Sequence, residues 1–182
     1  MNTANRLTIL RVLLIPVFMI FVLIDVPNYR YIAAFIFFIA ALTDSLDGYI
    51  ARSRNQITVF GKFMDPLADK LLISAALISL VELGEISSWA AMIIIAREFA
   101  ITGFRILAAA DGIVIAASWW GKIKTITQIV AIISILLNNF PFSLIGFPFS
   151  RITLGLAVVF TIISGIDYIY INRKIFIEND NK

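Results

Sequence analysis

Six stretches of the chain, residues 12–24, 31–43, 71–81, 86–96, 125–150 and 152–166, contain no charged residue and are almost wholly apolar. Most are shorter than the about 20 residues that a helix needs to cross a bilayer, so each reaches full length only by carrying polar residues near one end. Extended in this way, they predict helices over roughly residues 6–25, 30–52, 61–82, 87–108, 119–139 and 149–171. The intervening stretches "DVPNYR", "LGEISS", "AADGIVIAAS" and "NNFPFSLIGFPFS" carry the Pro, Gly, Asn and Ser of turns. Pro16 is placed to kink the first helix.

Composition turns this pattern into a class. Hydrophobic residues make up 60% of the 182 residues and charged residues 15%, against roughly 25% charged in soluble domains. The pattern predicts an all-α, polytopic membrane protein with six transmembrane helices, folded as a single domain over residues 1–182. "MNTANRLTILRVLLIPVFMI" opens like a signal peptide, but no small-x-small cleavage site follows before Asp25, so it is expected to remain as the first span. With no cysteine and no histidine, disulfides, thiolate chemistry and imidazole ligands are excluded, and base or metal-ligand work falls to carboxylates. The basic residues are scattered between apolar runs and form no nucleic-acid-type patch.

Sidedness follows from those scattered charges. With the N-terminus inside, Arg6, Arg11, Arg52, Arg54, Lys62, Lys70, Arg105, Lys122, Lys124, Arg173, Lys174 and Lys182 fall at inner ends, and only Arg30 and Arg151 at outer ones. Both termini are therefore expected in the cytoplasm of a multi-pass protein of the cell membrane.

On this topology the second helix descends to the cytoplasmic face and the third rises from it. Asp44 and Asp47 are three residues apart and Asp65 and Asp69 four apart, so each pair lies on one face of its helix. If those faces meet, four carboxylates converge near the inner boundary. Two unit charges about 4 Å apart repel by roughly 4 kcal/mol at an effective dielectric of about 20, so such a cluster needs cations among it. Carboxylates without His or Cys favour hard divalent ions, Mg²⁺ or Mn²⁺, and four of them suit a pair of ions that clamps phosphate oxygens. The plainer alternative is that these aspartates are helix-end residues facing water or pairing with Arg52, Arg54, Lys62 and Lys70. Two facing pairs of ionisable residues at membrane depth favour function. Gly48, Ala51 and Gly61 would let a ligand approach the backbone, or let helices pack closely. Arg52 could bridge phosphate oxygens or serve as an inner-side topology charge.

Written with its spacings, the stretch is Asp44-x2-Asp47-Gly48-x2-Ala51-Arg52-x8-Gly61-x3-Asp65-x3-Asp69. It resembles, at every fixed position, the signature of the CDP-alcohol phosphotransferase family. The resemblance implies an integral membrane enzyme of six helices, usually a homodimer, with its active site at the cytoplasmic side. Such enzymes move a phosphatidyl-type group from a CDP-linked donor to an alcohol and release CMP. By the family pattern, Asp44, Asp47, Asp65 and Asp69 would hold two divalent cations, and Asp69 would double as catalytic base toward the incoming hydroxyl. Asp47, Gly48, Ala51, Arg52, Gly61 and Asp65 would contact the CDP moiety, with Asn5, Thr8 and Arg11 of "NRLTILR" on the nucleotide side. Cations near a carboxylate depress its pKa, so Asp69 works as a base only when hydrogen-bonded to the alcohol at the moment of attack.

A second set of charges lies in "AREFAITGFRILAAADGIVIAASWWGKIKT", residues 96–125. Arg97 and Arg105 are a little over two helical turns apart, so both can look into one cavity, and cations on one wall suit an anionic acceptor. Alternatively Arg97 pairs with Glu98 or a neighbouring helix, and Lys122 and Lys124 follow the inside rule. "ARE", "TGFR", "AAS" and "GKIKT" resemble the bacterial branch of the family whose acceptor is sn-glycerol 3-phosphate. That resemblance implies CDP-diacylglycerol as donor and places Arg97, Arg105, Lys122 and Lys124 at the acceptor phosphate. Three other readings stay open: the same chemistry on serine or inositol phosphate, a membrane prenyltransferase, and a divalent-cation transporter. The prenyltransferase lacks the Asp-Gly-x2-Ala-Arg continuation, and a transporter would need acidic residues deeper in the outer half than Asp25, Glu82 and Glu85.

Overall fold

A computed structural model describes residues 3–24, 26, 28–53, 59–110, 112, 113, 115, 116 and 118–173, with side chains described in the helices outside 3–7, 44–53, 59–63, 65, 66 and 110. Six α-helices follow one another, α1 (Thr3–Leu23), α2 (Tyr29–Ser53), α3 (Val59–Glu82), α4 (Ser88–Ala110), α5 (Trp119–Leu136) and α6 (Phe149–Ile171), with a short 3₁₀ turn at Phe142–Ile145 before α6. No strand occurs among the described residues. All six predicted helices are present, and α1 continues through Pro16.

Helix α5 stops before the sequence pattern does. The hydropathy of its last turn predicts helix to residue 139, yet Asn138 and Asn139 take positive φ values of 52° and 61°. Asn tolerates that left-handed geometry better than most side chains, and it turns the chain out of the helix. The Asn139 amide then binds both sides of the turn, donating to the Phe147 carbonyl at 2.7 Å while its oxygen accepts from the Ser150 N–H at 2.9 Å. At its other end α5 is capped by Ser118, whose hydroxyl accepts from the Gly121 N–H at 3.1 Å.

The helices pack as neighbours in a bundle: α1 lies against α2 and α3, α4 against α3 and α6, α2 against α5, and α5 and α6 form a hairpin. Phe18 and Phe37, with ring centroids 5.8 Å apart, join α1 to α2 at the centre of a core completed by Leu72, Leu77, Ile94 and Ile132. Alanines at 33, 34, 40, 68, 75 and 76 are buried between helices, and small side chains of this kind let helix backbones approach where van der Waals packing holds them together.

The exterior is more apolar than that of a soluble protein, and several polar groups are turned inward. Arg11 and Lys124 are 0% and 1% exposed, and Thr8, Gln128, Thr161 and Ser164 are also buried, while Phe35 and Leu107 are 65% and 68% exposed. Water would penalise that apolar exterior, whereas hydrocarbon accepts it and drives polar groups inward. Among the described residues, α6 is the helix long and apolar enough to cross a membrane by length and composition, with mean hydropathy 2.0, and Thr8–Leu23 and Tyr29–Thr43 are shorter apolar stretches. Helices α3 and α4 fall short on composition because ionisable residues are built into them, Asp65, Asp69 and Lys70 in one and Arg97, Glu98 and Arg105 in the other.

Candidate active site

The described polar side chains converge where α3, α4, α5 and α6 meet. Glu98, about midway along α4, is the centre. Its Oε2 lies 3.0 Å from the Lys70 ammonium of α3, and its Oε1 is shared by the Lys124 ammonium of α5 and, at 3.5 Å, by Nη1 of Arg97. Lys70 also pairs with Oδ2 of Asp69. A buried carboxylate is expensive unless paired, and here one carboxylate is paired with two ammonium groups that are themselves mostly out of solvent.

Beside this cluster lies a cavity of about 440 Å³, lined by Lys70, Arg97, Glu98, Arg105, Lys122 and Tyr168 together with Ile101, Thr102, Ser118, Gly121, Thr125 and Ile126. Arg97 reaches it past two glycines. A methyl group added at Gly165 would sit 3.5 Å from its Cγ and one at Gly121 3.7 Å from its Nη2, so the side chain passes between α5 and α6 close to both glycines. Arg105 stands 5.6 Å over the Tyr168 ring, and Phe104 meets the same ring edge-on at 5.7 Å. Lys122 lies 5.9 Å from the Trp119 ring centre. Arg105 and Lys122 are exposed at the mouth, and Arg97 sits deeper.

Two polar atoms here have no hydrogen-bond partner: Arg97 Nε and the Tyr168 hydroxyl are both buried and unpaired. Such groups cost about 1–3 kcal/mol each, and a native fold tolerates them where a ligand or water completes the set. Four cationic side chains against one lining carboxylate give the cavity an excess of positive charge. That excess of positive charge suits a small oxyanion.

Of the expected acceptor residues, Arg97, Arg105 and Lys122 line this one cavity, while Lys124 does not: its ammonium is committed to Glu98 in the interior. Lys70, expected only as a partner for the aspartates, takes its place on the cavity wall. Asp69 is half-buried on α3 beside it. Thr8 and Arg11 are fully buried along α1. Asp44, Asp47, Gly48, Ala51 and Arg52 fall on α2 and Gly61 and Asp65 on α3, helices that pack together, but these side chains, like that of Asn5, lie outside the described ones. Among the described residues no three acidic groups gather as a metal site.

Sequence reasoning missed Tyr168 and the central position of Glu98. A signal for Tyr168 exists: Thr153, Ala157, Thr161, Ser164 and Tyr168 recur at helical spacing and form the buried stripe of α6. In a helix this apolar, a stripe of small and hydroxyl-bearing residues marks the face turned to its neighbours.

A helical bundle with an apolar exterior, a buried ionic centre and a cation-lined cavity beside an aspartate-bearing helix is consistent with a membrane protein. The chain belongs to the CDP-alcohol phosphatidyltransferase family, whose model matches residues 1–163. It is 47% identical over 179 residues to the CDP-diacylglycerol–glycerol-3-phosphate 3-phosphatidyltransferase of Bacillus subtilis, covering 92% of this chain and 93% of that protein. It is 40% identical over 183 residues to the Haemophilus influenzae protein of the same name, covering 98% and 97%. A probable phosphatidylglycerophosphate synthase of Mycobacterium tuberculosis is 39% identical over 171 residues, covering 92% and 80%.

Proposed function

We propose that the protein transfers the phosphatidyl group of CDP-diacylglycerol to glycerol 3-phosphate, giving phosphatidylglycerophosphate and CMP. Family membership and the names of its relatives support the reaction. The observation that carries the acceptor is the single cavity that Arg97, Arg105, Lys122 and Tyr168 line together, with the buried Tyr168 hydroxyl left without a hydrogen-bond partner. A phosphate monoester fills it with charge and acceptor lone pairs together; serine brings no phosphate.

In this mechanism Arg97, Arg105 and Lys122 hold the phosphate of glycerol 3-phosphate and leave its free primary hydroxyl toward α3. Asp69 accepts the proton of that hydroxyl as its oxygen attacks the phosphorus of the phosphatidyl group. The bond from that phosphorus to the bridging oxygen breaks, and CMP leaves. Asp47, Gly48, Ala51, Arg52, Gly61 and Asp65 hold the CDP moiety, with Asn5, Thr8 and Arg11 on its nucleotide side. The donor set of Asp44, Asp47, Asp65 and Asp69, all oxygen and without His or Cys, fits two hard divalent cations, Mg²⁺ or Mn²⁺. When bound, such ions supply Lewis-acid stabilisation of charge on the transferring and departing phosphates.

The protein is read as a single domain of six spans with both termini and the active site on the cytoplasmic side, acting as a homodimer among membrane lipids. The bias of lysine and arginine supports the orientation. Because the chain has no cysteine, single cysteines placed at residue 26 or 84 and at the C-terminus would report sidedness by impermeant thiol labelling in intact cells. Purified protein with CDP-diacylglycerol, Mg²⁺ and each of glycerol 3-phosphate, serine and inositol phosphate tests the reaction. CMP and phosphatidylglycerophosphate formed in equal amounts with glycerol 3-phosphate are expected. CMP release that prefers another alcohol would overturn the acceptor.

A further inference from the structure

We infer that Glu98 is a positioning residue that acts through Lys70 on Asp69, tying the proton-accepting carboxylate to the acceptor cavity. The inference rests on the reading of Asp69 and of the cavity given above. Three observations carry it. Glu98 divides its two oxygens, Oε1 toward Lys124 and Arg97 and Oε2 toward Lys70 at 3.0 Å. Lys70 is shared in turn between Glu98 and Oδ2 of Asp69, so a continuous ionic chain runs from α5 through α4 to α3. Lys70 and Glu98 both line the cavity, whereas Lys124 is held behind it.

Adjacent residues on a helix do not face each other, so Lys70 must curl back along α3 to reach Asp69. A four-carbon stem has many other rotamers, and the Glu98 carboxylate on the facing helix is what selects this one. Lys124 anchors Glu98 from the opposite side. The chain of contacts fixes one oxygen of Asp69 relative to the wall that holds the acceptor phosphate, which aligns the hydroxyl for attack. Glu98 also places a negative charge on that wall. It therefore opposes acceptor binding while it favours turnover.

That opposition gives a readout that loosened packing would not. Full-length Glu98→Gln in lipid nanodiscs with Mg²⁺ is expected to lose at least about tenfold in kcat while KM for glycerol 3-phosphate stays level or falls. Calorimetric titration of glycerol 3-phosphate without donor should show affinity retained or raised. Lys70→Met should lose kcat similarly, and the double variant Glu98→Gln/Lys70→Met should be no worse than Lys70→Met alone, because both changes cut one chain. Independent losses that multiply in the double variant would overturn the inference, as would a Glu98→Gln protein with unchanged kcat or with kcat lost and KM raised together. If Glu98→Gln alone does not fold, Glu98→Gln/Lys124→Met removes both members of the buried pair and replaces it in the comparison. Full kcat in that variant shows that Glu98 merely neutralises Lys124, and overturns the inference. Failure of the function reading is separable: it appears in which alcohol the wild type uses, whereas the cycle compares variants on that same alcohol.

Discussion

Two regions of the bundle each carry an arginine or lysine bonded to a glutamate of another element, one at a connecting turn and one in the interior, and they differ in burial and balance. At the connection between α3 and α4, Arg30 meets Glu85 at 2.6 Å and Asn138 at 2.7 Å, strapping α2 to the α3–α4 turn and to the end of α5. Both ion-pair side chains are solvent-accessible, 30% and 36% exposed. In the interior, the side chains of Glu98 and Lys124 are 9% and 2% exposed, and the cations outnumber the carboxylates. An exposed, balanced pair contributes about 0–1 kcal/mol and holds a shape. A buried, unbalanced cluster with unpaired polar atoms beside a cavity is costly to keep. Chemistry is what such a cost accompanies.

The sharpest way to press this contrast is to neutralise the acids read as ion ligands. Asp44→Asn, Asp47→Asn, Asp65→Asn and Asp69→Asn should each lower kcat by about 10²–10³-fold or more, as should chelation reversed by Mg²⁺; turnover surviving all four changes would remove the carboxylate site. Next in size, Arg105→Ala is expected to raise KM for glycerol 3-phosphate by about 10- to 100-fold, with the donor KM changed far less, and Lys122→Ala to do so more weakly because a single ammonium lacks the bidentate fork of a guanidinium. Equal effects on both substrates would separate the cavity from the acceptor.

Tyr168→Phe is smaller and more diagnostic. Deleting a buried hydroxyl that has no protein partner should leave thermal stability level or raise it by about 1 kcal/mol, while KM for glycerol 3-phosphate rises a few-fold. A stability loss would mean that the hydroxyl serves the fold. At the strap, Arg30→Ala should cost no more than about 1 kcal/mol by thermal unfolding and change turnover less than twofold. A large loss of activity there would erase the distinction between the two regions.

Much of the architecture was legible along the chain. Charge-free runs, turn residues and near-end polar positions gave six helices, because a hydrophobic run bounded by turn chemistry leaves the backbone few choices. The end of α5 was placed three residues late, since hydropathy cannot see that Asn138 and Asn139 take left-handed geometry. The Arg97–Arg105 interval pointed to two cations on one cavity, because spacing along one helix is a local property, whereas the aspartate pairs, Asp69 apart, fall outside the described side chains. Lys124 was expected at the acceptor by its sequence neighbourhood and lies behind the wall instead, bonded to Glu98.

The order of residues by itself determined the helices, the apolar exterior that suits hydrocarbon, and the carboxylate and arginine motifs, since each depends on local spacing and composition. Only the packing of α3, α4, α5 and α6 decided which charges face the cavity and which neutralise one another. Lys70, Glu98, Lys124 and Tyr168 come from four different helices, and no periodicity within any one of them encodes the distance to the others.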